Sequence, residues 1–256
     1  MIDIHAHIIP GVDDGPETIE EAMRMLEDAA EQGITHIFAT SHAKSPQYDV
    51  SVEQIKSGVA LLREAVEAND IQINVLHGQE IRIHSKLLED LVEGKALPLG
   101  NSQYVLVEFP TREIPDYAAT VFEKMLSNNF VPIIAHPEKN RPLMDKPELL
   151  YKFVKQGCLS QVTTGSLVGH FGSKIKDTAL SFINHQLVHC IGSDVHNLTS
   201  RPLLYNEGIN ELDKKGLSKQ ADILIENNFR IQEEKLVIIQ EPIKPTKKWW
   251  NVFQWA

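Results

Sequence analysis

A parallel α/β barrel is the fold class this sequence predicts, on three observations. Short apolar runs alternate with amphipathic helical stretches along most of the chain. Most of the runs are nearly continuous in Val, Ile, Leu or Phe, as expected for parallel strands covered on both faces. Residues with metal-binding side chains follow run after run, so the chemistry is spread over many strand ends. An open sheet collects functional residues at one switch point, whereas a barrel collects them around its rim.

Seven runs read as strands: residues 2–6, 36–40, 73–78, 104–109, 131–135, 160–164 and 187–192. The first helix is expected over residues 17–32. Ile19, Ala22, Met23, Leu26, Ala29 and Ala30 recur there at helical spacing, with Pro16 suited to the first turn and Gly33 to the stop. Residues 55–68 repeat the pattern through Val59, Leu62 and Val66. Further helices are expected at 87–91, 118–127, 147–156 and 174–184. Strand followed by helix, repeated, implies right-handed crossovers. No Gly, Pro or Ser-rich linker divides the chain, so residues 1–239 are expected to form one barrel. Residues 240–256 form a Pro/Lys/Trp-rich tail that holds all three tryptophans, Trp249, Trp250 and Trp255, with Lys247, Lys248 and Phe253. The tail is expected to pack over the barrel exterior; a partner or membrane-surface anchor is the competing reading.

Lys plus Arg number 25 and Asp plus Glu 35, a net charge of -10, which disfavours nucleic acid and anionic lipid as general partners. Two cysteines, Cys158 and Cys190, are too few for a disulfide framework and suit a reducing compartment. With no signal-like start and no long apolar run, the expectation is a soluble cytoplasmic protein.

MIDIHAH sets Asp3, His5 and His7 at alternate positions, so both imidazoles face one side of the first strand. One buried histidine is often a satisfied core residue. Two at one strand end are better explained by a metal. His42 ends the second strand, Glu80 the third and His136 the fifth; Glu108 lies in the fourth, and Asp194 and His196 end the seventh. A single carboxylate at a strand end is weak evidence, but clustered carboxylates repel unless cations bind between them. In GVDDGP, Asp14 is taken as a ligand and Asp13 as a candidate helix cap. His5, His7, Asp14, His42, Glu80, Glu108, His136, Asp194 and His196 make nine N and O donors, enough for two or three ions. Without thiolates, such a set suits Mn²⁺, Zn²⁺ or Fe. His36 and His189 read as core or lower-face residues, His77 as a neighbour supporting Glu80, and His84, His170 and His185 as surface residues.

MIDIHAHIIPGVDDGP, TSHAKSPQY, GQEIRI, LVEFP, PIIAHPEKNRP, QVTTGSL and IGSDVHNLTSRP, in this order, resemble the PHP (polymerase and histidinol phosphatase) family. Within it the chain is most similar to the manganese-dependent protein tyrosine phosphatases of capsule and exopolysaccharide synthesis in Gram-positive bacteria. The resemblance runs from Met1 to about Phe229. It implies a distorted (βα)7 barrel with three metal positions. His5, His7, Glu80 and Asp194 would form one; Glu80, Glu108 and His136 a second; Asp14, His42 and His196 a third. It also implies that Arg201 engages phosphate. Lys139 stands where the subgroup often has arginine; it keeps the charge but loses the bidentate fork, and Arg141 is the candidate to share its work.

The expected reaction is hydrolysis of phosphotyrosine by metal-activated water. By the same resemblance the substrate is a tyrosine kinase of polysaccharide synthesis, which would recruit the protein to the inner membrane surface. A thiol mechanism needs Arg six positions after the nucleophile, but Thr164 follows Cys158 at that distance and His196 follows Cys190. The rivals are a histidinol-phosphate phosphatase on the same fold and a non-catalytic regulatory module docking through the tail. An exonuclease is disfavoured by the acidic charge.

Overall fold

The computed structural model describes residues 1–246. Nine parallel strands are present among them: β1 Ile2–Ala6, β2 His36–Ala39, β3 His42–Ala43, β4 Asn74–His77, β5 Glu80–Arg82, β6 Tyr104–Glu108, β7 Val131–Ala135, β8 Leu159–Thr163 and β9 Cys190–Gly192. They pair as β1-β2-β4 and β3-β5-β6-β7-β8-β9. The two sheets are one barrel of seven staves, because β2/β3 and β4/β5 are each a single stave broken in the middle. The break in the first falls at Thr40, whose backbone N–H and hydroxyl both donate to Ala6 O, while its Oγ1 accepts from Ala6 N–H at 3.0 Å. The break in the second falls at Gly78, where a Cβ would stand 2.9 Å from Leu99 and 3.2 Å from Thr40. Closure is made by a parallel bridge between Ala6 and Val195, with His7 N–H on Val195 O and Asp194 N–H on His5 O.

The helices are α1 Ile19–Glu31, α2 Val52–Ala68, α3 Leu87–Val92, α4 Ala118–Ser127, α5 Arg141–Asp145, α6 Glu148–Gln156, α7 Thr164–Val168, α8 Ser173–Asn184, α9 Tyr205–Lys214 and α10 Ser218–Gln232. Helix α1 starts two residues later than expected, because Thr18 caps it by accepting from Glu21 N–H. Pro16 therefore precedes the helix. Helix α2 starts three residues earlier than expected, on a reciprocal capping box between Ser51 and Gln54. Two apolar layers result. Val105 and Val107 of β6 pack with the helices, while Tyr104 and Leu106 join Phe38, Ile133, Leu159 and Cys190. The two-residue period puts Glu108 on the face of Tyr104 and Leu106, at the carboxyl end of that stave.

Helices α9 and α10 were not expected from the sequence. Helix α9 carries Gly208, whose absent Cβ would lie 2.8 Å from the Thr164 side chain, so close packing on α7 requires glycine. Helix α10 turns Asn228 inward, where its amide donates to Ile2 O and Ile191 O at 2.8 Å and its Oδ1 accepts from Ile191 N–H. One asparagine thus ties the first stave to the last. After α10 the chain runs back along the barrel: Val237 N–H donates to Tyr104 OH and Ile243 N–H to His185 O. The described start of the tail therefore lies on the exterior. Lys247, Lys248, Trp249, Trp250, Phe253 and Trp255 lie outside the described residues. No helix among the described residues is long and apolar enough to cross a membrane.

His189 is buried as expected. Its Nδ1 accepts from Ser160 N–H at 3.2 Å, its Nε2 has no hydrogen-bond partner, and burial lowers its pKa to about 4. The unfolded chain, near 6.5, binds this proton more readily, so stability falls as pH drops from about 6.5 towards 4. The loss from this one group is on the order of 3 kcal/mol. His189→Asn keeps an acceptor for Ser160 and cannot titrate. Urea unfolding of metal-stripped protein at pH 7.5 and 4.5 should show a smaller acid loss in the variant; an equal loss would exclude His189 as its source.

Candidate metal centre

Every expected ligand lies at the carboxyl end of a stave or in the loop that follows it. His5 is in β1 and His7 just beyond it, His42 opens β3, Glu80 opens β5 and Glu108 closes β6. His136 follows β7, and Asp194 and His196 follow β9. Two of these residues hold a left-handed backbone without being glycine, His136 at φ 29° and Asp194 at φ 54°. Such conformations cost on the order of 1–3 kcal/mol each and are retained where a side chain must be aimed. Here they turn both side chains into the cluster.

Glu80 is central. Its Oε2 lies 2.9 Å from His42 Nδ1, 3.3 Å from His7 Nε2 and 3.5 Å from His5 Nε2, and its Oε1 accepts from His136 Nε2 at 2.7 Å. Asp194 Oδ1 stands 3.5 Å from His5 Nε2, and Asp14 Oδ1 3.4 Å from His42 Nε2 and 3.3 Å from His196 Nε2. Glu108 pairs with Arg82 at 2.7 Å.

Three overlapping groups have donor atoms mutually within 4.8 Å: His7, Asp14, His42 and His196; His5, His7 and Glu80; and His42, Glu80 and Glu108. They share His7, His42 and Glu80. Against the three positions expected, His7 and His42 each stand in two groups, and His136 and Asp194 fall outside all three. The donor chemistry fits cations. The Nε2 atoms of His5, His7 and His196 are buried without a hydrogen-bond partner, although carboxylate oxygens stand 3.3–3.5 Å away. Three such nitrogens converging on carboxylates, as the lone His189 Nε2 does not, fit a metal site.

The electrostatics are those of a tightly packed charge cluster. Burial opposes ionisation of Glu80, but His5, His42 and His136 hold it well below the usual carboxylate range. Burial likewise opposes Asp194, which Lys139, His5 and Arg201 hold low. Burial and the neighbouring Glu80 push Glu108 up. Burial would lower His7 and His42, yet Asp13 raises His7 to about 9, and Glu80 and Asp14 raise His42 to about 11. Burial and His7 lower His196 to about 4.

Two basic residues reach the same carboxylates. Arg201 donates from one guanidinium nitrogen to Asp14 Oδ2 at 3.0 Å and from the other to Asp194 Oδ1 at 3.1 Å. Its loop is shaped by Asn197, whose Oδ1 accepts from the N–H groups of Thr199, Ser200 and Arg201. Lys139 lies in a 3-10 turn, Pro137–Lys139, and donates to Asp194 Oδ2 at 2.6 Å while its ammonium sits 4.0 Å over the Phe171 ring. The preceding Glu138 anchors that turn by accepting from Thr163 N–H and Ser166 OH. A cleft of about 290 Å³ opens above the cluster, with Pro46, Gln47, Phe109 and Thr111 on its walls and both Arg201 and Lys139 on its lining.

Three sequence-based expectations are corrected here. Arg141 is not brought to the cluster: its side chain is 72% exposed and faces Asp145 at 3.8 Å. It opens α5, whose first turn points it outward. Asp13 does not cap a helix but accepts from His7 Nδ1 at 2.8 Å. His77 does not support Glu80; it lies in β4, below the break, and its Nε2 meets Gly100 O at 3.0 Å. Sequence reasoning also missed Gln161, whose Oε1 accepts from His5 Nδ1 at 2.9 Å and so directs Nε2 at the cluster. A glutamine in the middle of a strand expected to be buried on both faces was the available signal. Arg82 was missed too, two residues past Glu80 and therefore on the same face of β5.

A parallel barrel with N and O donors converging at its carboxyl rim is the architecture of the metal-dependent hydrolases. More particularly, the chain belongs to the capsular polysaccharide synthesis CpsB/CapC family, whose model matches residues 1–233. It is 36% identical to the tyrosine-protein phosphatase YwqE of Bacillus subtilis (strain 168), over 97% of each chain. It is 30% identical to the tyrosine-protein phosphatase CpsB of Streptococcus pneumoniae, over 93% of this chain and 100% of that one. A crystal structure from the pair YwqE of Bacillus subtilis and CpsB of Streptococcus pneumoniae, described as unique metal-dependent tyrosine phosphatases, superposes with a TM-score of 0.94. Identity is 35%, over 96% of this chain and 100% of that chain.

Proposed function

We propose that this protein is a metal-dependent protein tyrosine phosphatase. The observation that carries the reading is Glu80, a buried carboxylate whose two oxygens face four histidine rings delivered by three other staves. His5, His7, Asp14, His42, Glu80, Glu108, His136, Asp194 and His196 are the proposed ligands, for two or three Mn²⁺ ions. When bound, such ions lower the pKa of water to supply a nucleophile and offset charge on the phosphoryl oxygens. The chain's own residues do the rest. Arg201 presents two parallel N–H donors to the phosphoryl group, and Lys139 adds a compact charge beside it. Pro46 and Phe109 wall the cleft and exclude water around the aromatic ring of the substrate. Cys158 and Cys190 take no part: both are buried and burial pushes both thiols up, so neither supplies a thiolate.

The substrate proposed is the phosphotyrosine of a tyrosine kinase in polysaccharide synthesis, in keeping with the family and with the names of its relatives. The same reading places the reaction in the cytoplasm, where the two free cysteines stay reduced, with recruitment to the inner membrane surface by that partner. Assaying a phosphotyrosine peptide, histidinol phosphate and single-stranded DNA in parallel tests it. The peptide should be turned over with a kcat/KM at least about 10²-fold above either alternative. Preference for histidinol phosphate would assign the site to the small-molecule rival instead.

A further inference from the structure

We propose that Asp13 is a positioning residue that builds one ion pocket, the one formed by His7, Asp14, His42 and His196. The inference rests on the reading above that this cluster holds ions. The Asp13 side chain is fully buried, and both of its oxygens act as acceptors. Oδ2 accepts from His7 Nδ1 at 2.8 Å and from the His42 backbone N–H at 3.1 Å, while Oδ1 accepts from Gly15 N–H at 3.1 Å. One carboxylate thereby fixes the end of β1, the start of β3 and the loop that carries Asp14. The fourth donor follows, because the His196 ring stacks on His7 at a centroid distance of 3.8 Å.

The loop is pressed onto β1 without space to spare. A Cβ on Gly15 would stand 2.8 Å from His7 O and 3.1 Å from Asp13 Oδ1. The hydrogen bond to Asp13 also decides the His7 tautomer: with the proton on Nδ1, the Nε2 lone pair faces the cluster. His5 is held differently, by Gln161, so its orientation does not depend on Asp13. Three donors of the His7, Asp14, His42 and His196 group hang from Asp13, against one in each of the other two groups. The effect of losing Asp13 is therefore concentrated on one pocket.

Asparagine in place of Asp13 would be the same size but offer one acceptor oxygen and an NH₂ group. With its NH₂ towards His7 the imidazole proton is forced onto Nε2 and ligation is blocked; with its oxygen there instead, the NH₂ meets Gly15 N–H, donor against donor, and pushes away the loop that carries Asp14. The test is Asp13→Asn, dialysed against graded free Mn²⁺ and measured for metal per chain, with anomalous diffraction at the manganese edge to show which position changes. The expected result is one ion fewer than wild type at limiting Mn²⁺, that ion being weakened about 10–100-fold, with the other positions within a few-fold. Gly15→Ala, which displaces the same loop through its backbone, should weaken the same ion. Equal EDTA-state melting temperatures for wild type and Asp13→Asn establish that the comparison is between folded proteins. Wild-type occupancy at every position in Asp13→Asn overturns the Asp13 inference and leaves the metal centre standing. A wild-type protein that binds no Mn²⁺ overturns both.

Discussion

Glu80→Gln is expected to lower occupancy at more than one ion position and to cost roughly 10³-fold or more in kcat/KM on a phosphotyrosine peptide. The side chain is 0% exposed and its two oxygens face His5, His7, His42 and His136 within 3.5 Å. Glutamine fills the same volume, so the barrel keeps its packing. It carries no charge, and one of its two head atoms becomes a donor facing imidazole nitrogens. Two of the three donor groups contain Glu80, which is why the loss should not stop at one ion. Metal content and kcat/KM measured on the same preparation check this. Loss of a single ion, with the others at wild-type affinity, would show that Glu80 serves one ion position only.

Arg201→Ala should leave the ions in place and cost about 10²-fold or more in kcat/KM, because a guanidinium cannot ligate a cation but can clamp two phosphoryl oxygens. The guanidinium already sits between Asp14 and Asp194 and lines the cleft with them. An arginine that only paired with a surface carboxylate would be worth about 0–1 kcal/mol and little rate. Asp194, its partner here, is 1% exposed, so the pair belongs to the cleft and not to the surface. Lys139→Ala should cost less than Arg201→Ala, since its single charge lacks the fork. Arg141 offers no substitute for it, because its side chain points to Asp145. A fully metallated Arg201→Ala enzyme with near-wild-type kcat/KM would remove Arg201 from the site.

Most staves, and the residues proposed as ligands, were legible in the sequence because they follow simple patterns. Val131–Ala135 and Ala118–Ser127 fall where their apolar patterns put them. The nine proposed ligands stand at or beyond strand ends, where a polar side chain interrupts an apolar run. The two broken staves were not legible, since Thr40 and Gly78 interrupt pairing through a side-chain hydrogen bond and a close approach, neither of which leaves a periodic mark. Helices α9 and α10 escaped notice for a related reason: α9 buries Gly208, and α10 buries Asn227 and Asn228, where a core face would be read from large apolar residues. Asp13 and Gln161 act through histidines that lie 6 and 156 residues away, a relation only the folded chain displays. Arg141 failed in the opposite sense: its closeness to Lys139 in sequence was undone by the direction of α5.

Metal dependence of phosphotyrosine hydrolysis tests the central claim most directly. Protein stripped with EDTA should lose its activity on a phosphotyrosine peptide. Stepwise Mn²⁺ should restore it, with bound metal reaching about two or three ions per chain at full activity, a number the three overlapping donor groups can accommodate. Activity that survives in verified metal-free protein, or metal content that never rises above one ion per chain under saturating Mn²⁺, would contradict it.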